Sequence, residues 1–120
     1  MKILAVDDSP TMLEILSSKL GEAGHEVLEA DNGAEAIKVL SAGPVDMIIS
    51  DLNMVILSGL MLLQKIRENP VHLGTPFIFL TTENDDELKQ AARKAGATAW
   101  VAKPFKPDSL LQLIQRLGPA

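Results

Sequence analysis

The sequence predicts an α/β domain with a five-stranded parallel sheet and helices on both faces. Four short, continuous apolar runs each end in a polar or charged residue, and segments with helical spacing lie between them. Apolar runs of this length are typical of strands that are covered on both faces. Parallel neighbours need helical crossovers, which the intervening segments supply. The four runs cover residues 3–6, 47–49, 77–80 and 99–102.

In the first half of the chain, capping and turn residues indicate where the helices and strands begin and end. Ser9 can cap the first helix, Pro10 suits its first position, and Gly24 permits a left-handed end. Residues 26–30 are more polar than the other runs, which predicts a strand at the edge of the sheet. A turn at Asp31-Asn32-Gly33 then starts the second helix.

The second half continues the same alternation. Residues from Ser58 to about Asn69 predict a third helix, which Pro70 stops. Asp85-Asp86 precede a fourth helix that Gly96 ends, and Pro107-Asp108 opens the last one. With the second strand at the edge, we expect the strand order 2-1-3-4-5 of a flavodoxin-like, doubly wound sheet. Residues 1–120 are expected to form one domain, with no further output domain.

Composition excludes several classes of function. The net charge of −5 and a pI near 4.9 argue against a nucleic-acid-binding protein, because no basic field attracts phosphates. The chain has no cysteine, which excludes disulfides and thiolate chemistry. No apolar run approaches the length of a membrane span. These features together fit a cytoplasmic protein.

Three carboxylates are predicted to meet at one edge of the sheet. Asp7 and Asp8 follow the first strand and Asp51 follows the third, and these two strands are neighbours in the expected order. At an effective dielectric constant of about 20, a pair of like charges roughly 4 Å apart costs about 4 kcal/mol. A divalent cation offsets that repulsion, and Mg²⁺ suits a site with few carboxylates and a phosphate oxygen.

Thr81 and Lys103 end the fourth and fifth strands at the same edge. A lysine ammonium and a threonine hydroxyl placed there can hold a phosphoryl group. A carboxylate in that setting can act as a nucleophile and form an acyl phosphate. Asp51 is the best candidate, because it leaves the central strand.

These motifs give the chain a family likeness over nearly its whole length. It resembles the receiver domain of bacterial response regulators, in particular the stand-alone chemotaxis regulators of the CheY type. The segments that carry the resemblance are Val6-Asp7-Asp8-Ser9, Asp51-Leu52-Asn53-Met54, Leu80-Thr81-Thr82 and Lys103-Pro104-Phe105.

The resemblance implies a signalling phosphoacceptor rather than an enzyme, one that assists its own phosphorylation and dephosphorylation. Asp51 would take a phosphoryl group from a histidine kinase. Asp7, Asp8, Asp51 and the backbone carbonyl of Asn53 would bind Mg²⁺. A cis peptide bond is implied before Pro104.

The resemblance also implies how the signal would leave the site. Thr81 and Lys103 would contact the phosphoryl group, and an aromatic residue three positions before the lysine would turn inward as the threonine moves. Trp100 stands there, where the family more often has tyrosine. The fourth helix, fifth strand and fifth helix would then bind a downstream protein, such as a flagellar motor component.

Residues 54–63 depart from the family pattern. Eight of these ten residues are apolar, and Val55 stands where receivers usually have proline. Since connecting loops ordinarily lie at the surface, Met54 to Met61 predict an exposed patch. Self-association or a hydrophobic partner would use Val55, Ile56 and Met61. An alternative is a receiver-fold interaction module with impaired phosphorylation, its residues 54–61 either natural or engineered.

Two other classes share part of the pattern. A phosphatase of the haloacid dehalogenase type also uses an aspartate at a strand end, but it needs a second acid where Asn53 stands. A flavodoxin-like cofactor carrier needs a phosphate-binding loop after its first strand, and here that position holds Asp7-Asp8-Ser9. Both classes therefore fit the residues less well.

Overall fold

A computed structural model describes residues 1–54 and 57–118. Strands and helices alternate along these residues, and the five strands form one parallel sheet in the order β2-β1-β3-β4-β5. The predicted fold and strand order are confirmed. The elements are β1 (Lys2–Val6), α1 (Pro10–Glu22), β2 (Glu26–Ala30), α2 (Gly33–Ser41), β3 (Met47–Ser50), α3 (Gly59–Arg67), β4 (Phe77–Thr81), α4 (Asp86–Ala95), β5 (Ala99–Ala102) and α5 (Pro107–Leu117).

The sheet separates two apolar layers, because alternate residues of each strand point to opposite faces. Ile48 packs in one layer with residues of α2, α3 and α4, whereas Ile49 packs in the other with residues of α1 and α5. All residues of β3 are buried. The central strand is therefore covered on both sides, and the residue after its last position is held at a fixed edge of the sheet.

Helix ends agree closely with the local sequence, with one exception. The Ser9 hydroxyl accepts a hydrogen bond from the Met12 N–H at 3.2 Å, and Gly96 ends α4 with a φ of 104°. The third helix ends at Arg67, earlier than the predicted Asn69. The reason is that the Asn69 side chain accepts from the Val71 N–H at 3.0 Å and caps a separate 3-10 helix, Pro70–His72.

The apolar segment after β3 is only partly exposed, so the prediction of an exposed patch from Met54 to Met61 is wrong for part of that run. Met54 is 9% exposed, and Leu57 packs against the same core layer. Leu57 fits because Gly33 has no side chain, and a Cβ there would lie 2.6 Å from the Leu57 Cβ. Met61 is 50% exposed, as expected. Val55 and Ile56 lie outside the described residues.

In the part of the chain that the structure describes, none of the helices combines the length and the apolar character needed to cross a membrane.

Candidate functional site

The three carboxylates lie together at the carboxyl ends of β1 and β3. Val6 and Ser50 are paired residues of these adjacent strands, so the residues that come next emerge side by side. The Asp51 N–H donates to the Val6 carbonyl at 2.9 Å. One carboxylate oxygen from each of Asp7, Asp8 and Asp51 lies within 4.8 Å of those from the other two. The predicted carboxylate cluster is therefore present.

The three acids differ in how far they are withdrawn from water. Asp7 is only 2% exposed, and its Oδ1 accepts a hydrogen bond from the Ser9 N–H at 2.9 Å. Asp8 is exposed, while Asp51 keeps only a small part of its side chain accessible. The start of α1 thus holds Asp7 in place, and Asp8 gives the cluster an open side.

Lys103 reaches the cluster from the far side of β4. Its backbone N–H donates to the Thr81 carbonyl at 2.9 Å, which fixes the residue at the end of β5. Its Nζ lies 2.9 Å from Asp7 Oδ2 and 3.8 Å from Asp51 Oδ1. The ammonium group therefore pairs with two of the three carboxylates, and the site keeps an excess of negative charge.

The pKa of Asp51 responds to this environment. Burial raises the pKa of Asp51 above its ordinary value, because the charged form loses water. The nearby Lys103 lowers it and the Asp7 carboxylate raises it, and the net direction is upward. A cluster of oxygen ligands with uncompensated negative charge and one open side fits a small, hard divalent cation such as Mg²⁺.

Thr81 and Trp100 are linked through the main chain of Glu83. Thr81 is fully buried at the end of β4, and its hydroxyl oxygen accepts from the Glu83 N–H at 3.1 Å. The Trp100 indole N–H donates to the Glu83 carbonyl at 3.2 Å. The Trp100 ring also lies 5.7 Å from that of Phe79, measured between centroids. One residue therefore contacts both members of the predicted switch pair.

The Glu83 side chain also contacts the loop after β3. Its Oε1 accepts from the Asn53 side-chain amide at 2.9 Å, at the surface of the protein. The Asn53 side chain is thus linked to Glu83, and the role of its backbone carbonyl as a metal ligand stays a prediction. Sequence reasoning assigned no role to Glu83, although an acid two residues after Thr81 at the same edge of the sheet was a usable signal.

Ser50 is a second residue that sequence reasoning missed. It is the last residue of β3 and fully buried, and its hydroxyl donates to the Asp51 carbonyl at 2.8 Å. The Leu52 N–H donates to Asp51 Oδ1 at 2.8 Å. The available signal was a hydroxyl group in an otherwise apolar strand, next to the central acid. The peptide bond between Lys103 and Pro104 is cis, as the resemblance implied.

Residues 3–115 match the response regulator receiver domain, and the chain belongs to that family. It is similar to CheY-type proteins in particular. It is 38% identical over 117 residues to the chemotaxis protein CheY homolog of Campylobacter jejuni, covering 96% of this chain and 90% of that protein. It is also 40% identical to the structure of the chemotaxis protein CheY4 of Vibrio cholerae, with a TM-score of 0.93 and 97% of each chain covered.

A further similar structure is the receiver domain of the sensor histidine kinase PA1611 of Pseudomonas aeruginosa. It is 27% identical, has a TM-score of 0.88, and the match covers 97% of this chain and 94% of that one. That receiver domain was solved with a magnesium ion coordinated in its active-site cleft.

Proposed function

We propose that this receiver domain is a phosphoacceptor in which Asp51 takes a phosphoryl group from a histidine kinase. The observation that carries the proposal is the convergence of three carboxylates and the Lys103 ammonium group at one edge of the sheet. Membership of the receiver family supports it. Asp51 is the acceptor because it comes directly after the central strand and lies within reach of both Asp7 and Lys103.

The transfer is a displacement at phosphorus. A carboxylate oxygen of Asp51 forms the new O–P bond while the P–N bond to the kinase histidine breaks, and the electron pair returns to the imidazole nitrogen. The product is an acyl phosphate. Attack by water on its phosphorus later releases inorganic phosphate and regenerates the carboxylate.

Lys103 and Thr81 would stabilise the transferred group. The Lys103 ammonium already lies among the carboxylates, where it can pair with phosphoryl oxygens. The Thr81 oxygen accepts a hydrogen bond from Glu83, so its own hydroxyl proton is available for donation. Both groups supply positive electrostatic potential where negative charge develops.

Mg²⁺ would be held by Asp7, Asp8, Asp51 and the backbone carbonyl of Asn53. When bound, it would neutralise the excess negative charge of the carboxylates and so admit an anionic phosphoryl group. The close arrangement of the three carboxylates supports this assignment. The magnesium ion in the similar PA1611 receiver domain supports it as well.

Thr81 and Trp100 would carry the signal from the site to α4, β5 and α5. Because Glu83 contacts both side chains, a shift of the Thr81 hydroxyl toward a phosphoryl group would disturb the bond that holds Trp100. A downstream protein, such as a component of the flagellar motor, would bind the altered face. Similarity to chemotaxis proteins of Campylobacter jejuni and Helicobacter pylori supports a partner of this kind.

The acceptor can be tested with a small phosphodonor. With acetyl phosphate and Mg²⁺, the parent protein should gain the mass of one phosphoryl group, and Asp51→Asn should gain none. Asp46→Asn is the matched control, because Asp46 binds the Lys2 N–H at 2.7 Å and is not part of the carboxylate cluster. Equal labelling of Asp51→Asn would contradict the assignment. A folded parent that gains no mass would favour the interaction module instead.

A further inference from the structure

Ser50 places a hydroxyl group where the rest of β3 is apolar. The side chain is fully buried, so its hydroxyl cannot bond to bulk water and needs a partner inside the protein. It donates to the carbonyl oxygen of Asp51 at 2.8 Å. A buried hydroxyl is costly to retain unless it is bonded, and this one is bonded to the backbone of the acceptor residue.

The Asp51 carbonyl and the Leu52 N–H belong to the same planar peptide group. The Ser50 hydroxyl holds the carbonyl end of that group. The N–H end donates to Oδ1 of the Asp51 carboxylate at 2.8 Å. Because the group is rigid, rotation of the carbonyl away from Ser50 would also turn the N–H away from the carboxylate.

Gly59 packs against the same peptide group from the start of α3. A Cβ at this position would lie 2.2 Å from the Asp51 carbonyl oxygen, so a side chain there would push that oxygen aside. The Gly59 N–H donates to the Leu52 carbonyl at 2.8 Å, which holds the chain immediately after the peptide group. The peptide group therefore has little freedom to rotate.

We infer that Ser50 is a positioning residue: its hydroxyl fixes the peptide group whose N–H aligns the Asp51 carboxylate for attack on phosphorus. This inference rests on the proposed phosphorylation of Asp51. Correct alignment of a nucleophile lowers the barrier because less freedom has to be lost on reaching the transition state. Ser50 itself acts through the backbone and takes no part in bond making or breaking.

The test combines a labelling rate with a measurement on the Leu52 amide. The variants are Ser50→Ala, Ser50→Thr and the control Ser41→Ala, which removes a comparable hydroxyl bond to the Ile37 carbonyl on α2. Labelling with acetyl phosphate is monitored by intact mass at saturating Mg²⁺, well below each melting temperature. The chemical shift and hydrogen exchange of the Leu52 amide are read by NMR in the unmodified proteins.

Ser50→Ala should label about 3- to 10-fold more slowly than the parent, the range that loss of one hydrogen bond typically produces. Its Leu52 amide proton should shift upfield and exchange faster. Ser50→Thr, which retains a hydroxyl, should recover both the rate and the amide shift. Ser41→Ala should match the parent in both measurements.

Two results would overturn the inference while leaving the proposed function intact. One is labelling of Ser50→Ala at the parent rate. The other is slower labelling with an unchanged Leu52 amide, which would mean that the variant acts through general loosening of the fold. A parent protein that is not labelled at all would overturn the proposed function, and the inference with it.

Discussion

Two clusters, each with one buried ionisable group, lie at different places in this fold, and they differ in how their charged groups are partnered. The first, which we call the acidic edge, consists of Asp7, Asp8, Asp51 and Lys103. It holds three carboxylates and one ammonium group, which pairs with Asp7 and Asp51 only, and burial together with the Asp7 charge raises the pKa of Asp51. Negative charge there is left without a matching partner.

The second, which we call the arginine cluster, consists of Arg67, His72 and Thr75. The Arg67 guanidinium donates to the His72 carbonyl at 2.5 Å and to the Gly96 carbonyl at 2.8 Å. His72 Nδ1 lies 2.9 Å from the Thr75 hydroxyl. Burial lowers the pKa of both Arg67 and His72, yet their polar groups have neutral partners in place.

The difference teaches that burial alone does not distinguish a functional site. Both clusters contain titratable groups that are partly withdrawn from water. The Arg67 guanidinium already donates to two carbonyl groups, whereas the acidic edge gathers three carboxylates around one ammonium group and leaves an excess of like charge that a cation could neutralise. Removing a group from the arginine cluster should therefore cost stability. Removing one from the acidic edge should cost function and can even raise stability.

The largest expected effect is in the arginine cluster. Arg67→Ala leaves two carbonyl groups without their donor, and we expect it to lower the free energy of unfolding by about 3 kcal/mol. Urea denaturation measures this directly. Arg93→Ala, at an exposed arginine of α4, should change stability by less than about 0.5 kcal/mol. Equal effects of the two variants would contradict the structural role given to Arg67.

The next effect concerns the acidic edge and its cation. If Mg²⁺ binds the folded protein, a concentration about 100 times the dissociation constant should stabilise it by about 2.7 kcal/mol. Asp8→Ala should abolish most of that gain, whereas the control Asp46→Asn should keep it. Thermal melts with and without Mg²⁺ provide the measurement. A parent protein whose melting temperature does not respond to millimolar Mg²⁺ would refute the cation site.

A smaller effect is expected when Asp51 is replaced: without metal, the substitution should raise stability rather than lower it. The pKa of Asp51 is higher in the folded protein than in the unfolded chain, so the folded protein holds this proton more tightly. The free energy of unfolding therefore falls as the pH rises through the folded-state pKa of Asp51. At neutral pH without metal, the ionised side chain therefore costs stability. Asp51→Asn should melt at a higher temperature than the parent in EDTA, and this advantage should shrink as the pH falls below the folded-state pKa. A lower melting temperature for Asp51→Asn at neutral pH would contradict this account.

The smallest effect on stability is expected at Met61, which lies on α3 and belongs to neither cluster. Its side chain is half exposed, so Met61→Ser should change the free energy of unfolding by less than about 0.5 kcal/mol. It should nevertheless weaken any concentration-dependent self-association through Val55, Ile56 and Met61. Sedimentation measures this, and a parent that stays monomeric at high concentration would exclude the self-association.

Local sequence was sufficient to predict the acidic edge. Asp7 and Asp51 each come directly after a short apolar strand, and the fold rule that brings parallel strand ends together then makes them neighbours. The resemblance to receivers added Asn53 and the cis bond before Pro104. Strand order was predicted in the same way from the polar character of residues 26–30.

Contacts between distant segments could not be predicted in this way. Arg67 binds the carbonyl of Gly96, 29 residues further along the chain, and nothing in either local pattern indicates the pairing. Leu57 falls within the segment from Met54 to Met61 that the sequence predicts to be exposed, but it packs against the core because Gly33 has no side chain. Periodicity tells which face of an element is buried, and it does not tell which partner covers that face.

The setting of Trp100 gives the protein a built-in optical probe. The chain contains one tryptophan and no tyrosine, so its near-ultraviolet fluorescence comes from this one indole. That indole is bonded to the Glu83 carbonyl and lies against Phe79. The wavelength of maximum emission and the intensity depend on the polarity and hydrogen bonding around the indole ring. A rearrangement of the chain between Thr81 and Glu83 will therefore be visible in real time, without a dye and without a competing signal.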